Sequence, residues 1–177
     1  MQKSRTCFVA LMIAMVVVSV AAQQQNPLSP PGTASVSFAD GKTVTIDYSR
    51  PSMRNRKIFG ALVPYGQIWR TGANSATSLK TDVDLTIGGA AVPAGSYTLY
   101  TVPGETAWKL VINKQTGQWG TDYDEKQDLA RVDMKVGSNA TPTEQFTISL
   151  DKTGGNSATL KLDWASTNAT VTVSEKK

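Results

Sequence analysis

Apolar and polar residues alternate along most of this chain, and this period of two limits the possible folds more than any other feature. Segments 43–47, 146–151 and 160–165 all follow it. A strand with one buried and one hydrated face has this pattern, because successive side chains point to opposite faces. Turn signals recur about every 8–12 residues, and no segment has a convincing amphipathic helical period. The sequence therefore predicts an all-β fold, a single-domain antiparallel β-sandwich of jelly-roll-like form with about nine or ten strands; a closed barrel is the next alternative.

Glycine and proline divide the middle of the chain into short strands. Gly88-Gly89 can form the tight turn of a hairpin after a strand at 83–87. Proline and glycine turns then introduce strands at 96–102 and 108–113, and we expect all three strands to be consecutive members of an antiparallel meander. Later strands are predicted at 129–136, 145–150, 158–164 and 169–173. A short helix fits only the segment 123–129.

Residues 1–22 have the composition of a secretory signal peptide. Two basic residues precede an apolar run that is shorter than the about 20 residues of a membrane span, and small residues precede a cut after Ala22. Residues 23–32 are polar and proline-rich, which predicts a flexible leader, and residues 33–177 form the single domain. We expect a periplasmic or secreted protein with no stable membrane span after cleavage. A retained N-terminal anchor is the alternative.

The composition excludes several classes of function. The chain has no histidine, and its one cysteine, Cys7, lies in the predicted signal peptide. A Ser-His-Asp site, a Cys-His site and a His-ligated metal are therefore excluded, and we expect no catalytic site, no metal site and no cofactor. Loss of Lys3 and Arg5 with the signal peptide leaves 16 of the 18 basic residues against 14 acidic ones, so the net charge falls from +4 to +2. This balance does not indicate a nucleic-acid-binding protein.

Unusual residues concentrate in the stretch Pro64–Asn74, which combines aromatic rings, a guanidinium, amides and glycines. Such a mixture suits a recognition surface, and it equally suits a rigid structural corner. Trp69 and Arg70 are predicted to lie on a strand with opposite orientations, so Trp69 enters the core and Arg70 faces a cleft or an ion-pair partner. Asn74 follows near a turn, where its amide can bind backbone groups or a ligand.

Two other segments could contribute to the same site. The basic segment 50–62 is predicted to be an irregular loop or a turn of helix, and it is either solvated or faces a carboxylate or phosphate through residues such as Arg50. Around Trp119 and Tyr123, two aromatic rings could stack on a sugar. The neighbouring acidic residues resemble a calcium loop only superficially, because the glycine at the sixth position is missing. A solvated acidic loop or a carboxylate pair for hydrolysis are the alternatives.

An ordered set of short motifs covers most of the chain after the leader. The motifs are Ser49–Ser52, Ile58–Gly66, Trp69–Asn74, Pro93–Tyr97, Ile112–Lys114 and Gln118–Gly120. Together they resemble the bacterial family of unknown function numbered 2911, over about Val36 to Val173. The resemblance implies an exported or envelope protein and implies no known activity. Members of that family commonly have a glutamate after the Gly-Ala-Asn element, where this chain has Ser75.

Three hypotheses of function follow. The first is a non-catalytic exported module that binds a small polar or anionic ligand, or a glycan, through Arg50, Arg70, Asn74, Trp119 and Tyr123. The second is a carboxylate-dependent hydrolase, glycosidase-like or esterase-like, that uses Asp122 or Asp124. The third is a structural envelope scaffold in which Pro64–Asn74 is only a packed corner.

Overall fold

The computed structural model describes residues 28–176 as nine strands and one short 3₁₀ helix. The strands are β1 (Pro31–Ser37), β2 (Thr43–Ser49), β3 (Thr77–Thr81), β4 (Leu85–Ile87), β5 (Ala90–Val92), β6 (Gly95–Val102), β7 (Ala107–Asn113), β8 (Asp128–Gly154) and β9 (Ser157–Glu175). The helix, Glu125–Gln127, lies within the segment predicted to hold one. The all-β prediction is confirmed. None of the helices in this part of the chain is long and apolar enough to cross a membrane.

The predicted signal peptide and the first half of the predicted leader, residues 23–27, lie outside the described residues. The last residues of that leader, Pro31 and Gly32, belong to β1, so the sheet begins before Thr33. Gly32 pairs with Tyr48 of β2, and an added Cβ there would collide with the Arg50 side chain. The glycine therefore allows Arg50 to lie across the edge strand.

All nine strands belong to one antiparallel sheet in the order β1-β2-β3-β6-β7-β8-β9-β4-β5, which is not closed into a barrel. Gly88 and Gly89 both have positive φ and join β4 to β5, as the hairpin prediction required. The meander prediction was wrong for this hairpin. It pairs with the far end of β9, while β6 pairs with β3 on one side and β7 on the other.

The four strands predicted after residue 128 are two long bent strands, β8 and β9. Their pairing is irregular between Ser138 and Thr147, a segment that contains Pro142, and on the β9 side Ala165 has a φ of 53°. Proline cannot donate to the ladder, so it marks a bulge here. The polar residues between the predicted strands at 129–136 and 145–150 therefore mark a bend within β8 and not the end of a strand.

The bend brings the second half of β8 toward β1 and β2, so that the sheet folds over its own apolar face. Ile148 N–H donates to the Tyr48 hydroxyl over 2.9 Å, and Phe146 N–H donates to the Pro51 carbonyl over 2.8 Å. Alternate residues of the strands face the enclosed core, which includes an aromatic cluster of Phe59, Trp69, Trp108, Phe146 and Trp164. The candidate site lies directly over this cluster.

Candidate functional site

A cavity of about 490 Å³ opens over the aromatic cluster, with Trp69 and Trp164 in its wall. Three arginines line it, namely Arg54, Arg56 and Arg70. Among the described residues that line the cavity there is no aspartate and no glutamate. Pockets that bind small molecules commonly combine apolar walls with a few directional polar groups, and here the charged groups are all cationic.

The segment Trp69–Asn74 positions one of these arginines by an irregular backbone path. Trp69 exchanges two backbone hydrogen bonds with Thr101 of β6, at 2.7 and 2.9 Å. Thr71, which is fully buried, then turns the chain with a φ of 53°, and Asn74 has a φ of 59°. The left-handed region is unfavourable for a β-branched residue and costs of order 1–3 kcal/mol. Hydrogen bonds from Thr77 Oγ1 to the Thr71 carbonyl and from Thr71 Oγ1 to Thr101 hold the turn.

The prediction that Trp69 and Arg70 lie on a regular strand was wrong, because Trp69 forms only an isolated bridge with Thr101. Both residues line the same cavity. The backbone turns at Thr71, directly after this pair, so no strand continues through the segment. The assignment of Trp69 to the core is borne out in that its ring stacks on Trp164 with a 5.8 Å centroid distance.

Arg70 lies between Trp69 and the loop that contains Gly120. A Cβ at Gly120 would overlap with Arg70 Cδ and would lie 2.6 Å from the Asn74 carbonyl oxygen, so only glycine fits against the arginine stem. Gly120 N–H also donates to that carbonyl over 3.1 Å. Nε of Arg70 is buried without a hydrogen-bond partner, and the ion pairs of the described residues do not include Arg70. A buried donor without an acceptor destabilises a fold, so Arg70 Nε has a hydrogen-bonding capacity that the described protein groups leave unused.

The other two arginines are exposed and bind backbone carbonyls. Arg54 Nη2 donates to the Leu28 carbonyl over 3.1 Å. Arg56 donates to the carbonyls of Met53 and Ser52, over 2.9 and 2.7 Å. Neither guanidinium has a carboxylate within ion-pair distance among the described residues. The Glu144 carboxylate accepts from the Arg54 backbone N–H over 2.9 Å, so one negative charge lies beside this segment, although Glu144 does not line the cavity.

Tyr100 and Tyr123 also line the cavity and contact each other edge to face, with centroids 4.9 Å apart. The Tyr123 hydroxyl donates to Asp128 Oδ2 and accepts from Arg131 Nη2, both over 2.7 Å. Burial, together with the hydrogen bond to Asp128, raises the pKa of Tyr123 to about 12, while Arg131 opposes the change. Burial also raises the pKa of Tyr100. Both phenols are therefore neutral donors at ordinary pH.

Of the five residues predicted to bind a ligand, Arg70 and Tyr123 line the cavity and the other three do not. Arg50 is tied to β8 by hydrogen bonds to the Phe146 carbonyl and to Thr147 Oγ1. Asn74 is exposed and supports the site through its backbone carbonyl. Trp119 is 53% exposed beside Gly120, and its backbone pairs with Ser75.

The acidic residues near Tyr123 are engaged within their own loop. Asp124 caps the 3₁₀ helix by accepting from Lys126 N–H, and Glu125 and Asp128 each form an ion pair with Arg131. Within residues 28–176 no group of three or more acidic, cysteine or histidine side chains is arranged to hold a metal ion. Neither Asp122 nor Asp124 lines the cavity.

Sequence reasoning missed Arg54, Arg56, Tyr100 and Trp164 as lining residues. The two arginines belong to the basic segment 50–62, where Arg50 was chosen in their place. The sequence showed that Arg54 and Arg56 lie two positions apart, but in an irregular loop such a spacing does not indicate where a side chain points. Trp164 and Tyr100 lie on strands β9 and β6, which the sheet brings over the loop.

The family model described as "Protein of unknown function (DUF2911)" matches residues 29–173. No curated protein and no solved structure matches the chain. The matched range contains every residue that lines the cavity except Leu28. The chain therefore belongs to the DUF2911 family of proteins of unknown function, as the ordered motifs predicted.

Proposed function

We propose that this protein is an exported bacterial envelope protein that binds a small anionic ligand in the arginine-lined cavity, without catalysing a reaction on it. The observation that carries the proposal is Arg70. Its Nε is buried without a partner in the wall of a cavity of about 490 Å³ that no carboxylate lines among the described residues. Arginine recognises carboxylate and phosphate groups through parallel N–H donors, which makes an anion the fitting ligand.

The charge of the lining supports an anion over a neutral polar ligand. Three guanidinium groups share one concave surface, where the low-dielectric wall formed by Trp69 and Trp164 strengthens their field. Tyr123 also lines the cavity, and Asp128 and Arg131 hold its hydroxyl. We assign direct ligand contact to the Arg70 guanidinium and to the Tyr123 ring, because the Tyr123 hydroxyl already donates its hydrogen to Asp128. Asn74 has a positioning role through the Gly120 hydrogen bond.

The same geometry gives less support to the other hypotheses. A packed corner would leave Arg70 satisfied and Trp119 covered, whereas Arg70 Nε has no acceptor and Trp119 is exposed. A hydrolase that uses Asp122 or Asp124 would place a carboxylate in the cavity. A glycan would find only hydroxyl acceptors among the side chains of the described lining residues, which include no amide and no carboxylate, whereas three guanidinium groups favour an anion.

The export part of the proposal rests on the N-terminal sequence. Expression of the full chain with a C-terminal tag in a bacterial host, followed by fractionation and N-terminal sequencing, tests it. We expect periplasmic protein that begins at Gln23. Recovery of a chain that begins at Met1 in the membrane fraction would instead support a retained anchor.

The binding part is tested by calorimetric titration of the mature protein with small anions, with octanoate as an apolar probe and gluconate as a polar one. Arg70→Met keeps most of the stem packing but removes the guanidinium, and we expect it to abolish binding of any anion that the wild type binds. Lys80→Gln is the matched control, because it removes one exposed positive charge on β3 outside the cavity. An equal loss of binding in both variants would show that the effect comes from the net charge of the protein and not from a site at Arg70. Absence of binding by both anions would refute the proposal.

A further inference from the structure

The cavity has an apolar mouth as well as a cationic wall. Five large apolar side chains are conspicuously exposed among the described residues, and three of them, Leu28, Leu62 and Ile68, line this cavity. Their exposed fractions are 72%, 46% and 38%. Scattered single apolar residues are normal on a surface, but clustering around one concave site marks a place where apolar surface is covered by a ligand.

Arg70 is more enclosed than the exposed apolar residues of the mouth, whereas the other two arginines are exposed like them. The stem of Arg70 lies against the buried Gly120. Arg54 and Arg56 are exposed, as are Leu28 and Leu62. A ligand that satisfies Arg70 and also covers the exposed apolar side chains must therefore carry an anionic group at one end and an apolar body behind it.

We infer that the ligand of the proposed site is an amphiphile: a single carboxylate or phosphate head bound at Arg70, with an acyl or aromatic body against Leu62, Ile68 and Leu28. The inference rests on the proposed function and specifies its ligand class. The head displaces no protein carboxylate, since no described lining residue carries one. The apolar body removes the exposed side chains from water, and Trp69 and Trp164 form the wall behind it.

Probes of similar size that differ in charge or polarity test which kind of ligand binds, separately from whether any ligand binds. Hexanoate, octanoate and decanoate, each below its micelle concentration, vary only the apolar length. Affinity should rise by up to about fourfold per methylene, because each buried methylene contributes about 0.8 kcal/mol. Gluconate keeps the carboxylate on a polar body, and octanol keeps the apolar body without the charge; both should bind at least tenfold more weakly than octanoate. Tryptophan fluorescence gives a second readout, because Trp69 and Trp164 lie in the wall.

Two variants locate the apolar part. Ile68→Ser should flatten the dependence on chain length while leaving some binding through Arg70. Trp119→Ser removes an exposed large apolar side chain outside the cavity and should leave the dependence unchanged. Thermal unfolding of each variant checks that the fold is retained.

The outcomes separate this inference from the proposed function. If gluconate binds as tightly as octanoate and both require Arg70, the amphiphile inference is overturned and the anion site stands. If octanol binds as tightly as octanoate, or if none of the probes binds, both are overturned. A chain-length dependence that survives in Ile68→Ser but disappears in Trp119→Ser would also overturn the inference, because the apolar body would then lie on another surface. A steep dependence lost only in Ile68→Ser supports it. Phosphorylated and carboxylated heads on the same chain then distinguish a phospholipid-like ligand from a fatty-acid-like one.

Discussion

Replacing Arg70 by methionine should stabilise the protein, although it removes the central residue of the proposed site. A buried donor without an acceptor costs about 1–3 kcal/mol, and Arg70 Nε is such a donor. Methionine keeps an unbranched stem of similar reach against Gly120 and Trp69 but carries no donor. We therefore expect the free energy of unfolding to rise by about 1 kcal/mol. That change corresponds to about 2–4 °C in the melting temperature of a domain of this size.

Arg131→Met is the matched comparison, because the same substitution there removes a guanidinium that makes three hydrogen bonds. Arg131 donates to Asp128, Glu125 and Tyr123, at 2.7 to 2.8 Å. Its loss leaves the largely buried Asp128 carboxylate with fewer partners, and the partial exposure of Arg131 limits the cost to about 1–2 kcal/mol. Urea denaturation of both variants and the wild type gives the signs. A loss of stability in Arg70→Met as large as that in Arg131→Met would refute the interpretation of Arg70 as a ligand-binding residue held at a cost to the fold.

Three further predictions test the surroundings of the site. Gly120→Ala should lower the free energy of unfolding, measured in urea, by about 1–3 kcal/mol, because the added Cβ meets Arg70 Cδ and the Asn74 carbonyl. Part of this loss should be recovered in an Arg70→Ala background, and an unchanged urea midpoint would contradict the packing described. Phe146→Ala should cost about 3–5 kcal/mol, since this side chain is buried in the aromatic cluster under the cavity; a cost below about 1 kcal/mol would contradict that placement. The pKa of Tyr123 is raised from its usual value near 10 to about 12, so the unfolded chain ionises first and stability should fall as the pH rises from about 10 to about 12. In urea denaturation across this pH range, Tyr123→Phe should reduce the fall of stability with pH. It should not remove that fall, because burial also raises the pKa values of Tyr97 and Tyr100. An undiminished fall would contradict the raised pKa of Tyr123.

The fold was predictable from the sequence wherever the side-chain period was uninterrupted. The glycine turn at Gly88-Gly89, the alternation in β2, and the proline and glycine turns before β6 and β7 place those strands correctly, because these signals depend on local backbone geometry. The strand order was not predictable. Pairing of the β4-β5 hairpin with the end of β9 is a contact between residues far apart in the chain, and no local pattern specifies it.

The site was predictable only in part, and for the same reason. Arg70 and Tyr123 were identified from residue type, but the loop after β2 supplies Arg54 and Arg56 in place of the predicted Arg50. Arg50 lies just after the end of β2 and donates hydrogen bonds to a carbonyl and a hydroxyl of β8. These groups become its neighbours only after the sheet folds over. The left-handed backbone at Thr71 was likewise not predictable, because threonine disfavours this conformation and so gives no signal for it in the sequence.

The most direct test of the account is to observe the Arg70 guanidinium itself while an anion is added. In ¹⁵N-labelled protein the Nε–H resonance of Arg70 is assigned by its loss in Arg70→Met, and the Gly120 amide serves as a neighbouring reporter. We expect octanoate to shift both resonances with one common dissociation constant, while the resonance of the Arg131 Nε–H, which is already bonded to Asp128, does not move. Saturable binding that leaves the Arg70 resonance unchanged, or that perturbs the Trp119 indole in its place, would contradict the claim that this cavity is an anion-binding site.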